Sequence, residues 1–339
     1  MDLEDLNRQL KQKHMGGFWD SNMEGFGPNI EPRSVVVPHL WRWPDLYEGL
    51  LKAGELVSLE QSERRTIRLM NPGVPGSTGA TKTVHMSVQL VKPGEIAKAH
   101  RHTLTALRFV VKGGGAFTTV DGERFTMYPG DLILTPNWTW HDHYNASQEN
   151  IVWIDGHDGP LLEALEVLAV EPFRQEQQPV EVIPDFSLHK FGWVRPPERV
   201  IDGPDPPFRY PWKETYESLK ALSVGVGDPY DGVLLRYVNP RTGGQTLRTI
   251  GCEIQMLRPG EKTKSHRHTT STIYHVFRGS GTTVVDDQRL KWEEGDIFTV
   301  PIWSWHLHEN EAANEAVLFS INDRPVKEAL GLYREEARP

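Results

Sequence analysis

Hydrophobic and polar residues alternate along this chain in short bursts, and Gly and Pro interrupt the pattern before any burst grows long. The stretches 83–91, 107–111, 116–120 and 132–134 are rich in β-branched and aromatic residues between turn formers. They predict short antiparallel strands closed into a barrel or sandwich, an all-β architecture. Leucines at helical spacing over 161–170 predict a short helix leaving the first set of strands, and 3–13 predicts another. Between 172 and 211 the chain is dense in proline, including Pro172, Pro179, Pro184, Pro196, Pro197, Pro204, Pro206 and Pro207, which suits an ordered but irregular linker. Residues 1–40 read as an N-terminal arm.

The pattern occurs twice. His100-Arg101-His102-Thr103 recurs as His266-Arg267-His268-Thr269. Gly130-Asp131, Pro136, Trp138, Trp140-His141 and His143 recur as Gly295-Asp296, Pro301, Trp303, Trp305-His306 and His308. Upstream, the run from Val88 to Glu95 matches that from Ile254 to Glu261, and Trp41-Arg42-Trp43-Pro44 matches Phe208-Arg209-Tyr210-Pro211. Internal repetition of this kind fixes architecture before any local reading. The organisation expected is an arm at 1–40, a first barrel at 41–170, a Pro-rich linker at 171–207 and a second barrel with a C-terminal helix at 208–339.

Of the 14 histidines, eight fall in four His-x-His pairs. Residues two apart on a strand share a face, so His100 and His102 can point together into a barrel and offer two imidazoles to one metal. His141, beyond the Gly-Asp turn, is the natural third ligand, with His143 on the same face. His266, His268 and His306 form a second candidate set. Imidazole suits zinc, copper, iron and nickel alike, so spacing leaves the metal open. Three neutral imidazoles leave a divalent charge uncompensated, which invites an anionic chelating ligand. The four tryptophans beside these histidines read as core packing.

Composition narrows the partners. A balance of 46 acidic against 37 basic residues gives a net charge of −9, the wrong sign for a phosphate backbone. A single cysteine, Cys252, excludes an internal disulfide framework, and no apolar run approaches membrane-spanning length. A cytosolic enzyme with no nucleic acid and no membrane partner is expected.

The strings HRHTLTALRF and PGDLILTPNWTWHDH, with the Gly94-to-His100 spacing, resemble the cupin superfamily, and within it the bicupin gentisate 1,2-dioxygenases. That group includes salicylate, substituted-salicylate and 1-hydroxy-2-naphthoate dioxygenases. The resemblance implies two antiparallel jelly-roll barrels with flanking short helices, running from about Trp41 to Asp323. Most metal cupins carry a Glu shortly after the His-x-His, where this chain has Ala106 and Leu107; the gentisate group shares that departure. The resemblance implies one Fe(II) per subunit on His100, His102 and His141, chelating a small aromatic hydroxycarboxylate through its carboxylate and ortho-hydroxyl. Dioxygen then cleaves the ring between the two substituted carbons. A homotetramer is also implied.

Arg108 lies at even spacing from His102, so it can face the same cavity and clamp a carboxylate. His143 is placed to act as acid or base near the phenolic oxygen. Gln89, Asp155 and Arg64 correspond to pocket positions of the family. His85 stands four residues before Gln89 on the same face, where typical gentisate enzymes have an aromatic or apolar residue, and bears on recognition of the ring's 5-substituent. In the second repeat Arg108 is replaced by Tyr274, so catalysis is expected in the first barrel. Gentisate is the leading substrate; the alternatives are salicylate, a 5-halo- or 5-nitrosalicylate and 1-hydroxy-2-naphthoate. From another class come a non-catalytic storage-like bicupin and a non-iron bicupin enzyme.

Overall fold

The computed structural model describes residues 2–19, 31–62, 64–74, 76, 79–192 and 203–338. Residues 20–30 of the expected arm, and 193–202 of the expected linker with Pro196 and Pro197, lie outside the described residues. The chain divides into Met1–Arg33 and Ser34–Pro339. The first unit carries a helix, Leu3–Gln12, whose start is capped by the Asp2 side chain accepting from the Asp5 amide at 2.8 Å.

The second unit contains two barrels, each a six-stranded sheet facing a five-stranded one, with every strand pair antiparallel. In the first barrel the large sheet runs Phe208–Tyr210, Leu132–Thr135, Ala106–Lys112, Ile151–His157, His85–Val91, Arg65–Arg68. Its small sheet runs Val170–Pro172, Ile96–His102, His141–Tyr144, Ala116–Val120, Glu123–Met127. The second barrel repeats this order.

Strands of the large sheets are buried on both faces, so His85–Val91 buries His85, Ser87 and Gln89 along with its apolar residues. From His85–Val91, Met86, Val88 and Leu90 face outward into a core shared by both barrels, and the alternate residues face the first barrel's interior. Across the shared core Phe109 stacks on Phe319 with ring centres 4.1 Å apart, and Leu50 and Leu219 of the two helices Trp43–Leu56 and Trp212–Leu222 close its flanks. Each interior has a smaller apolar floor: Val110, Phe125 and Trp153 in one, Val276, Trp292 and Phe298 in the other.

The segment leading into each repeat completes the sheet of the other. His39–Trp41 pairs with Ile297–Val300 of the second barrel, and Phe208–Tyr210 with Leu132–Thr135 of the first. The repeats therefore align Trp41 with Tyr210 and Trp43 with Trp212, two residues away from the match expected on the Trp-Arg-Trp-Pro string. This explains the repeated Gly-Asp. Asp296 accepts from the Trp43 amide and from Arg42 Nη1, both at 2.8 Å, and Asp131 accepts from the Trp212 amide at 2.8 Å and Arg209 Nη1 at 3.1 Å. Gly130 and Gly295 have φ of +88° and +92°, and a Cβ there would come within 2.5 and 2.3 Å of the Trp212 and Trp43 rings.

One expected helix differs. The helix expected over 161–170 spans Gly159–Ala164; Glu166 takes a left-handed φ of +59°, Leu165 and Leu168 stay exposed, and Val170–Pro172 becomes an edge strand beside Ile96–His102. In the second barrel the helix Arg324–Ala329 is likewise followed by a strand, Glu335–Ala337, on the edge of His266–His268.

Asp296→Ala removes the buried carboxylate that holds the part-buried Trp43 amide at the junction between barrels. It should remove about 1–3 kcal/mol of stability, read as a lower urea midpoint, while Asp287→Ala on the surface should leave the midpoint within about 0.5 kcal/mol.

Candidate metal centre

His100 and His102 come from Ile96–His102, and His141 from the neighbouring strand, with His100 directly opposite His141. Their ring centres are 5.3 Å (His100 to His102), 4.4 Å (His100 to His141) and 4.7 Å (His102 to His141) apart. One ligand nitrogen from each lies within 4.8 Å of the other two. The Nδ1 atoms are tied to backbone carbonyls two residues away: His100 to Lys98 at 3.0 Å, His102 to Leu104 at 3.0 Å, His141 to Thr139 at 3.1 Å. A ring donating from Nδ1 presents the lone pair of Nε2. Arg64 Nη2 also lies 2.8 Å from His100 Nδ1. A guanidinium only donates, so Nδ1 accepts from Arg64 in one tautomer and donates to Lys98 in the other, and ligation through Nε2 requires the second.

His141 is fully buried and its Nε2 has no protein partner, the condition of a nitrogen that awaits an ion. Burial, then the charges of Arg64 and Arg108 and the neighbouring imidazoles, push His100 down to about 4, His102 to about 3 and His141 well below its usual range. All three are neutral at pH 7, as metal ligands must be. The donor set therefore fits a divalent cation, and among the described residues no carboxylate belongs to the cluster.

Positive charge surrounds it. Arg108, 3% exposed, donates to Thr135 Oγ1 at 2.5 Å and faces Asp155 across 3.4 Å. Burial pushes its guanidinium down to about 10, still charged at pH 7, and burial raises the Asp155 carboxyl against the pull of Arg108. Outside His100 lies an open groove of about 530 Å³ lined by Arg64, Lys98, Phe173 and Arg174 among others. An anionic aromatic ligand would be drawn here despite the protein's net charge of −9.

The remaining expected residues take distinct places. Gln89 is buried, its Oε1 accepting from Thr66 at 3.2 Å while Nε2 has no partner. His143 shares a hydrogen bond of 2.6 Å with Thr118, and its Nε2 is also without a partner. His85 packs its ring on His157, 4.7 Å between centres, rather than on the metal triad. Its Nδ1 accepts from the Ala80 amide at 3.3 Å, which places the proton on a buried Nε2 that has no partner. Sequence reasoning missed His157, Thr135, Thr66 and Thr118; only their even spacing along strands marks them.

The core reading holds for Trp303, which is 7% exposed, and is corrected for Trp138. Arg101, between the two ligand histidines, points outward and sits 4.7 and 4.5 Å from the rings of Trp138 and Trp140, bridged to Glu171 at 2.7 Å. Arg267 repeats this on Trp303, Trp305 and Glu336 at 4.3, 4.6 and 2.8 Å. Trp138 is 42% exposed, so this pair clamps the outside of the ligand strand rather than filling a core.

Residues 87–157 and 253–322 each match the cupin domain family. A 5-aminosalicylate 1,2-dioxygenase of Comamonas sp is 41% identical over 99% of this chain and 90% of its own length. The chain belongs to the gentisate and salicylate 1,2-dioxygenase family. A gentisate 1,2-dioxygenase of Aquipseudomonas alcaligenes is 39% identical over 90% of this chain and 88% of its own. The crystal structure of a salicylate 1,2-dioxygenase from Pseudaminobacter salicylatoxidans matches with a TM-score of 0.91 at 31% identity, covering 99% of this chain and 98% of that one. The protein is thus a ring-cleaving dioxygenase on a bicupin fold.

Burial pushes His85 down to about 3 and His157 to about 4. In the unfolded chain both titrate near 6.5, so unfolding takes up protons below that pH. Their contribution is complete above about pH 6.5 and is lost as pH falls toward 3–4. The urea midpoint should fall across this window, less steeply in His85→Gln/His157→Gln; an unchanged slope would refute the assignment.

Proposed function

We propose that the first barrel, 41–170, uses Fe(II) on His100, His102 and His141 to cleave a salicylate bearing a polar 5-substituent, with gentisate the reference substrate. The observation that carries this reading is the buried Arg108 beside three neutral imidazoles that have no carboxylate among them. Such a centre is short of negative charge, and a bidentate carboxylate–phenolate ligand supplies it. The relatives support the class: one acts on 5-aminosalicylate, another on gentisate, and the salicylate dioxygenase has been crystallised as adducts with gentisate. Fe(II), when bound, supplies open coordination positions and the electron transfer that lets dioxygen react with an aromatic ring.

The chain's own residues do the rest. Arg108 holds the substrate carboxylate, positioned by Thr135 and Asp155. Arg64 adds a second cation at the mouth, and the partnerless Gln89 Nε2 donates to a substrate oxygen. His143 is neutral through burial and carries a proton to or from the phenolic oxygen through Nε2. His85 offers a neutral N–H to the 5-substituent, which favours hydroxyl or amino over hydrogen there. Both atoms of dioxygen enter the product as the bond between carboxyl- and hydroxyl-bearing carbons breaks. The second barrel, 208–339, is read as supporting, with 171–207 the linker and 1–40 an arm. Cys252, a lone buried thiol, suits the cytosol, where the enzyme is read as a homotetramer.

Fe(II)-loaded protein under air should consume oxygen with gentisate and 5-aminosalicylate, generate ring-opened absorbance in the near ultraviolet, and turn over salicylate, 5-halo- and 5-nitrosalicylate and 1-hydroxy-2-naphthoate more slowly. Arg108→Ala should raise KM roughly 10- to 150-fold with iron retained, the worth of a charged hydrogen-bonded pair. Loss of iron in that variant would make Arg108 structural. A protein inert to every hydroxybenzoate would be a non-iron or non-catalytic bicupin.

A further inference from the structure

The two repeats differ at one pair of facing positions at the ends of their large-sheet strands. In the first barrel His85 stands directly opposite His157 on the neighbouring antiparallel strand, with ring centres 4.7 Å apart. In the second, Gly251 stands opposite Asn322, and a Cβ on Gly251 would come within 2.6 Å of Asn322 Oδ1, so no side chain can face it there. The backbone asks the same of His157 and Asn322. His157 precedes the helix Gly159–Ala164 and its Nδ1 accepts from the Gly159 amide at 3.0 Å. Asn322 precedes the helix Arg324–Ala329 and its Oδ1 accepts from the Arg324 amide at 3.1 Å. Asparagine meets that need, so the cap does not call for an imidazole. What histidine adds is the rest of the ring, and the ring packs on His85.

The pair faces the substrate side. Gly156, between Asp155 and His157, would aim a Cβ at Leu107 and Ile321 of the shared core, so its two neighbours point the other way, into the first barrel. Two residues, about 7 Å along the strands, separate His85 and His157 from Ser87 and Asp155, and Asp155 lies opposite Arg108. That is close to the reach of a benzoate from a carboxylate oxygen to the substituent at position 5. Nδ1 of each ring accepts from a backbone amide, Ala80 for His85 and Gly159 for His157, so each carries its proton on Nε2. Both strand ends are pinned to the other barrel. Thr83, two residues before His85, donates to Asp323 at 2.8 Å, and Thr249 donates to Asp158, next to His157, at 2.6 Å.

We propose that His157 is a positioning residue for substrate specificity: its ring, wedged against His85, holds the His85 Nε2–H toward ring position 5 of the substrate. This rests on the reading that His85 donates to the 5-substituent. Without the His157 ring beside it, the His85 ring has room to turn about its Cα–Cβ bond, and the N–H loses its aim. The pair thus favours a 5-substituent that accepts a hydrogen bond over a bare hydrogen, a preference built into the first barrel alone.

The measurement is the ratio of kcat/KM for gentisate to that for salicylate on one Fe(II)-loaded preparation, because the ratio does not change with the fraction of chains folded or loaded. His157→Asn, which keeps the helix cap as Asn322 does, should lower that ratio roughly 3- to 10-fold, the worth of one neutral hydrogen bond. His85→Leu should lower it as far, and His85→Leu/His157→Asn no further, since the two act as a unit. His157→Phe, which restores a flat ring against His85, should recover most of the ratio. If His85→Leu loses the ratio while His157→Asn keeps it, or while His157→Phe fails to recover it, the role of His157 is overturned and that of His85 stands. An unchanged ratio in His85→Leu overturns both.

Discussion

A buried imidazole nitrogen without a partner costs roughly 1–3 kcal/mol, and this protein buries His141, His143, His266, His306 and His308 with Nε2 in that state. The expense is tolerable because each ring is held from behind. Nδ1 is bonded to a carbonyl, a carboxylate or, for His143 and His308, to Thr118 and Thr283. The rings cannot turn away to find water. Strand pairing sets His100 opposite His141 and His266 opposite His306, so the lone pairs converge without any loop having to be ordered. An ion recovers the cost at the site and stabilises the fold by mass action.

What lets two such barrels stand is the core between them. Large-sheet strands are apolar on the outward face and mixed inward, and the outward faces meet at Phe109 and Phe319. Neither barrel could leave that face in water, and the exchanged strands His39–Trp41 and Phe208–Tyr210 bind each repeat to the other's sheet. Arg101 and Arg267, stacked outside on paired tryptophans, hold the ligand strands from the solvent side. Rigidity at the triad therefore comes from both directions, as catalysis by position demands.

Much of this was legible in the chain. Period-two placement and exact repetition exposed the triads, because a strand converts spacing two directly into a shared face. The same rule placed Arg108 inside. Spacing failed where the partner lies far along the chain: nothing local in Asp231 or Glu335 announces that both flank His266, since one precedes an edge strand and the other lies near the chain's end. The exchange of strands escaped for the same reason, and the Trp-Arg-Trp-Pro match came out two residues off because side-chain likeness, not sheet register, was compared. Trp138 was read as core because hydrophobicity outweighed its role as a platform for a cation, whereas Trp303 is both buried and stacked on Arg267.

The two triads share one geometry and differ in the charge around them. A divalent ion on three neutral imidazoles carries its full charge; whichever neighbour supplies the compensating anion decides what the centre can do. In the first barrel the neighbours are Arg64 and Arg108, which deepen the deficit. In the second, Asp231 and Glu335 come from the chain itself and never leave. A duplicated site can thus keep its three imidazoles while their surroundings diverge, by exchanging guanidinium for phenol at one strand position and bringing a carboxylate to one ring.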